Sequence, residues 1–181
     1  TYQDEEGGLA CKPCTSGSYC TAAASAPLPC SQGSYSSTTN LTSPTECTMT
    51  GEGHYAPTGS TVQIKCSPGT IAPNTRMGVC DKCAAGTYQD EEGNVTCKPC
   101  TSGSYCPAAA SAPLPCGQGS YSSSTNLTSA TECTPTDEGH FAPTRSTLQI
   151  TCSPGTVTPE AGMGACGGCR AGTFQGQPGQ V

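Results

Sequence analysis

At 181 residues the chain is long enough for an ordinary globular domain, but Leu, Ile, Val and Phe together number only 16 and Trp is absent, which excludes a continuous apolar core. Sixteen cysteines stand in its place, a density at which covalent staples hold a chain together, and such staples persist only outside the reducing cytosol. A net charge of −6 with only seven Lys and Arg excludes a polyanion partner such as nucleic acid.

In chain order, the first feature is the acidic triplet Asp4-Glu5-Glu6, repeated at Asp90-Glu91-Glu92. Each reads as a solvated turn, with calcium held by carboxylate and backbone oxygens as the alternative. Gly176-Gln177-Pro178 stands in the same place near the end, so not every unit requires the acids. A glycine, then Ser, Thr or His, then an aromatic or β-branched residue recurs at Gly17, Gly33, Gly53, Gly69 and Gly86, and again at Gly103, Gly119, Gly139, Gly155 and Gly172. A Cys opens each unit three residues before the glycine, except where Thr50 and Thr136 take that place. Glycine there implies a tight turn with positive φ. The apolar residue after it, such as Tyr19 or Tyr55, is expected to lie over a neighbouring disulfide and to form the core. Pro and Gly, 39 residues together, leave room only for short irregular hairpins, each expected to touch its immediate neighbours.

Behind the short unit lies a long one. Residues 1–86 align without a gap to 87–172, with 64 of 86 positions identical, and Thr173-Phe174-Gln175 begins a third copy. The domains are therefore copy 1 (1–86, five units of about 17 residues, the first truncated), copy 2 (87–172) and the start of a third (173–181). The expected fold is small and disulfide-rich, an elongated tandem-repeat rod with no large core, and the sequence reads as a piece of a longer array.

Spacing suggests the staples. Cys66 to Cys80, Cys83 to Cys97 and Cys152 to Cys166 each enclose thirteen residues; Cys30 to Cys47 and Cys116 to Cys133 enclose sixteen. Cys14 then pairs with Cys20 and Cys100 with Cys106, while Cys11 and Cys169 are expected to pair outside the sequence. Three sequons, at Asn40, Asn94 and Asn126, sit in Ser/Thr-rich loops that suit N-linked glycans.

Other chemistry is sparse. Cys80-x-x-Cys83 and Cys97-x-x-Cys100 have the spacing of a zinc ribbon, but that reading leaves four further cysteines of each copy without a role. His54 and His140 are the only histidines and read as exposed residues. No paired His and carboxylate and no phosphate-binding loop appears, so neither an enzyme nor a cofactor is expected. No apolar run approaches the length of a membrane span, and no direct membrane insertion of this segment is expected.

The run from Cys83-Ala-Ala-Gly-Thr-Tyr88 to Cys97-Lys-Pro-Cys-Thr-Ser-Gly-Ser-Tyr-Cys106 resembles the ephrin-receptor-like cysteine-rich repeat, akin to growth-factor-receptor and tumour-necrosis-factor-receptor modules. The resemblance implies an extracellular, disulfide-rich, elongated architecture. Large arrays of this kind are similar to surface proteins of algae and other protists, including those that build flagellar hairs (mastigonemes). Two functions follow as expectations: a glycosylated structural segment that self-assembles into a surface fibre or coat, with other copies of itself as partner, or the stalk of a receptor or adhesin that binds a protein or glycan.

Overall fold

The computed structural model describes residues 1–180. Local structure begins at the turn after each opening residue. There a carbonyl accepts the N–H three residues on, as from Ser34 to Ser31 and from Thr87 to Ala84, both at 3.0 Å. The glycine in third place is left-handed, with φ of 73° at Gly53 and 85° at Gly86, a conformation that any Cβ strains. In most units the next residue donates its hydroxyl to the same carbonyl, as Thr70 Oγ1 does to Ser67 and Thr156 Oγ1 to Ser153, each at 2.7 Å. Where that residue is His, Nδ1–H donates to a carbonyl one residue nearer, His54 to Glu52 at 2.9 Å and His140 to Glu138 at 3.0 Å. Ser, Thr and His thus share a position at which a local bond to the turn is available, although the buried Ser104 Oγ makes none.

After the turn come two extended residues, which pair antiparallel with the two residues before the next opening position. In the first copy Ser18–Tyr19 pairs with Leu28–Pro29, Ser34–Tyr35 with Thr48–Met49, His54–Tyr55 with Ile64–Lys65, and Thr70–Ile71 with Asp81–Lys82. Thr87–Tyr88 pairs with Lys98–Pro99, and four further hairpins follow at the corresponding places of the second copy. The hairpin loops of the two 20-residue units each carry a single 3-10 turn, Pro44–Glu46 and Ala130–Glu132.

The chain forms two compact units, Thr1–Lys82 with Gln89–Cys97, and Cys83–Tyr88 with Lys98–Val181. Within the first, three backbone bonds tie each repeat to the next. The turn glycine donates to the residue that follows the next unit's aromatic or β-branched residue, Gly17 to Ser36 at 2.7 Å and Gly53 to Ala72 at 2.8 Å. Each opening residue donates to the preceding turn glycine, Cys30 to Gly17 at 2.9 Å and Cys66 to Gly53 at 3.0 Å. A left-handed loop residue donates to the preceding opening carbonyl, Asn40 to Cys14 and Gly93 to Cys66, both at 2.9 Å. The second unit repeats the pattern, for example Gly119 to Ala142 at 2.7 Å and Arg145 to Cys116 at 2.9 Å. Backbone polar groups beside the buried openings are thus satisfied by neighbouring repeats.

Two expectations are corrected here. The aromatic position is not the core: Tyr19, Tyr88 and Tyr105 are only half-buried, and they cap small clusters. The buried positions are the openings, where Cys14, Cys30, Cys66, Cys100, Cys116 and Cys152 are all 0% exposed, and the small residues after the aromatics, such as Ala56 and Ala72. The aromatic does cover a staple, with Tyr19 packing on Cys30, Cys47 and Leu41. Nor does each repeat touch only its neighbour. A Cβ at Gly17 would overlap the carbonyl of Gly59, and one at Gly119 the carbonyl of Gly162, two repeats further on in each case. A side chain of two heavy atoms on a narrow hairpin cannot fill a core alone, so the glycine backbone itself closes the packing.

Candidate functional site

The staples are the chemical centre of each unit. Bonds join Cys14 to Cys20, Cys30 to Cys47 and Cys66 to Cys80 in the first copy, and Cys100 to Cys106, Cys116 to Cys133 and Cys152 to Cys166 in the second. Cys83 and Cys97 are the two remaining disulfide-bonded cysteines. Cys11, which is exposed, and Cys169 carry no disulfide. The thiols of both CxxC motifs are thus spent on disulfides, and among the described residues no group of three or more His, Cys, Asp or Glu converges as a metal site would.

Unit length decides how a unit closes. Units of 17 or 20 residues place a second cysteine three residues before the next opening, and it bonds the first, as in Cys66–Cys80 and Cys30–Cys47. The 16-residue units opening at Cys14 and Cys100 carry Pro27 and Pro113 there, and close instead through the residue after the tyrosine, Cys20 or Cys106. The 16-residue units opening at Thr50 and Thr136 close with polar groups alone. Thr50 is 1% exposed, and the Gly51 N–H donates to Gln63 Oε1 at 2.9 Å. Thr136 is equally buried, and the Asp137 N–H donates to Gln149 Oε1 at 2.9 Å. Sequence reasoning missed this polar closure, although the shared length of 16 and the Thr and Gln at the two cysteine places were there to find it.

The sequons sit on loops. Asn40 and Asn126 are exposed and left-handed, with φ of 62° and 61°. Asn40 Oδ1 accepts the Cys14 N–H at 3.1 Å, which fixes the amide plane. Beside it, Thr42 Oγ1 donates to Glu46 Oε1 at 2.6 Å, and this hydroxyl, helped by the backbone N–H groups of Thr42 and Ser43, holds the Glu46 carboxyl below the usual range. Thr128 does the same for Glu132 in the second copy. Asn94 is half-buried, and its Nδ2 donates to Glu91 Oε2 at 3.1 Å.

Carboxylates of both acidic triplets have side-chain partners. Asp4 and Glu5 meet Lys12 Nζ at 2.6 and 3.5 Å, and the Lys12 ammonium lowers the Asp4 pKa. In the second copy Glu91 is committed to Asn94, and Glu92 is exposed, as is Glu6 in the first. His54 and His140 serve their turns.

The outer face carries apolar residues at one strand position of the 16-residue units. Leu28 lies opposite Tyr19, Ile64 opposite Tyr55, Leu114 opposite Tyr105 and Ile150 opposite Phe141. All four are exposed, at 42% to 47%, and Leu28 and Ile64 recur 86 residues on as Leu114 and Ile150.

Residues 69–113 match the family described as tyrosine-protein kinase ephrin type A/B receptor-like. The last 27 residues of that stretch, 87–113, recur nearly unchanged at 1–27. No curated protein matches the chain. Among the described residues no helix is long and apolar enough to cross a membrane.

Proposed function

Because the chain carries an ephrin-receptor-like cysteine-rich repeat, we propose that it is a segment of an extracellular structural protein, a glycosylated and stapled array that self-assembles into a surface fibre or coat, of which a flagellar hair is one setting. The observation that carries this reading is the near identity of the copies, 64 of 86 positions, since any contact made by one copy is then available to the next. The repeated exposed pairs Leu28 with Leu114 and Ile64 with Ile150 supply apolar surface for such contacts. N-linked glycans at Asn40, Asn94 and Asn126 complete the coat, and Cys11 and Cys169 pair with cysteines of adjoining units. The receptor-like family description supports a second reading, the stalk of a surface receptor or adhesin.

Secreted chain, oxidised and with glycans retained, is expected to associate with rising concentration and to form ordered filaments or sheets by electron microscopy. The I64E/I150E variant is expected to stay monomeric in the same sedimentation series. Wild-type chain that remains a monomer throughout would overturn self-assembly and leave the stalk.

A further inference from the structure

We infer that the Thr50 and Thr136 units are the yield points of the array, the segments that pay out first when the chain is stretched. The inference concerns the single chain and stands whether or not copies self-assemble. It starts from how much chain lies between consecutive staples. Only three residues of advance separate Cys80 from Cys83, and three separate Cys97 from Cys100. Ten separate Cys20 from Cys30, and nineteen separate Cys47 from Cys66. The second copy repeats these intervals, with ten from Cys106 to Cys116 and nineteen from Cys133 to Cys152. Chain enclosed by a disulfide cannot lengthen while the bond is intact. Between its staples each 86-residue copy therefore has one long segment free to extend, and that segment contains the unit closed without cysteine.

That unit is held shut by noncovalent contacts alone. Thr50 Oγ1 reaches the Met77 carbonyl at 3.5 Å, the outer limit of a hydrogen bond, and Thr136 Oγ1 reaches Met163 at 3.4 Å. The Gln63 and Gln149 amides each take one backbone N–H at 2.9 Å, Gln149 Nε2 also donates to Asp137 Oδ2 at 2.8 Å, and the Thr50 and Thr136 N–H groups donate to Gly33 and Gly119 at 3.0 and 2.9 Å. The side chains sealed inside are small: Thr50 with Ala56, and Thr136 with Ala142. The hairpins are four residues each, His54–Tyr55 with Ile64–Lys65, and His140–Phe141 with Ile150–Thr151. Hydrogen bonds and a threonine methyl give way under load before a covalent bond does, and reform on release. The array thus lengthens reversibly at one regular interval while its staples preserve the remaining units.

The test is single-molecule force spectroscopy on the full oxidised chain held by its two ends. The nineteen residues from Cys47 to Cys66, fully extended, span about 65 Å, less the folded separation of their ends. Once the ends outside Cys14 and Cys166 have drawn out, two steps of that size at the lowest force are expected, one per long copy, with the ten-residue segments yielding later in steps roughly half as long. The T50C/Q63C variant, its new disulfide verified by non-reducing peptide mapping, is expected to lose one of the two early steps. If that bond does not close, Q63A replaces it and is expected to move one early step to lower force. Ten-residue steps that come before the nineteen-residue ones, or two unchanged nineteen-residue steps in whichever variant is used, would overturn the inference.

Discussion

Gly53→Ala is expected to destabilise the first compact unit by roughly 3 kcal/mol, among the largest losses available to a single added methyl group. Two penalties combine. Gly53 has φ of 73°, where an L side chain costs about 1 kcal/mol. Its Cβ would also overlap the carbonyl of Gly93, whose own N–H is fixed by a bond to Cys66 at 2.9 Å, so the obstructing backbone cannot easily retreat. Gly59 separates the two effects. It has φ of 76°, but a Cβ there meets only Pro29 Cβ, at 3.6 Å, and Arg145 occupies the corresponding place in the second copy with φ of 68°. Gly59→Arg is therefore expected to cost about 1 kcal/mol or less. The guanidinium-chloride midpoint, followed by tyrosine fluorescence with disulfides intact, checks the pair. Equal losses at the two glycines would mean that the close approach of every second repeat carries no energy.

Replacing Cys30 and Cys47 together by alanine is expected to cost about 3 kcal/mol from the freed loop of 17 residues, with a further loss from the sulfur packing beneath Tyr19 and Leu41. The corresponding loss for Cys14 and Cys20, whose separation is only six residues, is about 2 kcal/mol on the same entropy argument. The alanine pair avoids leaving a buried hydroxyl unsatisfied. The same fluorescence-detected midpoints report both variants, and Tyr19 should also become more accessible to a collisional quencher in the first. A Cys30/Cys47 variant as stable as the parent would show that the backbone ladder, not the staple, holds the unit.

Much of the local fold is legible in the sequence because it is local chemistry. A glycine at a fixed place after each opening residue dictates a left-handed turn, and Gly17, Gly53 and Gly86 all adopt one. The abundance of Pro and Gly confines regular structure to short hairpins, and strands two residues long result. What sequence reasoning could not reach is whatever depends on three-dimensional stacking. The tyrosine, as the largest apolar side chain of its unit, looks like core, yet a narrow hairpin has no interior wide enough for it. Burial falls to cysteine, alanine, threonine and serine, and even Gln89 is 1% exposed, with its side chain spent on Thr96 at 2.7 Å and the Glu91 N–H at 3.0 Å.

The contact between every second repeat is invisible for the same reason. Nothing in the chain from Gly17 to Gly59 signals that they meet, but the pattern of tolerance records it. The turn position is glycine in all ten units, whereas the loop position holds Gly59, Arg76, Asn126 and Ala109 with φ between 60° and 76°. Both are left-handed, so conformation alone does not explain the difference; a carbonyl of the second repeat on presses against the turn glycine at Gly17, Gly33, Gly53, Gly86, Gly103, Gly119 and Gly139, while a Cβ at Gly155 or Gly172 would meet nothing. At Thr50 and Thr136 the lesson runs the other way. A missing cysteine looks like a defect, but the buried hydroxyl and the glutamine three residues before the next opening form a second way of closing the same loop.

The measurement that bears most directly on the stapled array is non-reducing peptide mass mapping of the secreted chain with glycopeptides retained. The account predicts Cys30 linked to Cys47, Cys66 to Cys80 and Cys14 to Cys20, the same links 86 residues on, and glycan on the sequon peptides. Free thiols at Cys80, Cys83, Cys97 and Cys100 with stoichiometric zinc, and bare asparagines, would contradict the staples, the compartment and the structural role together.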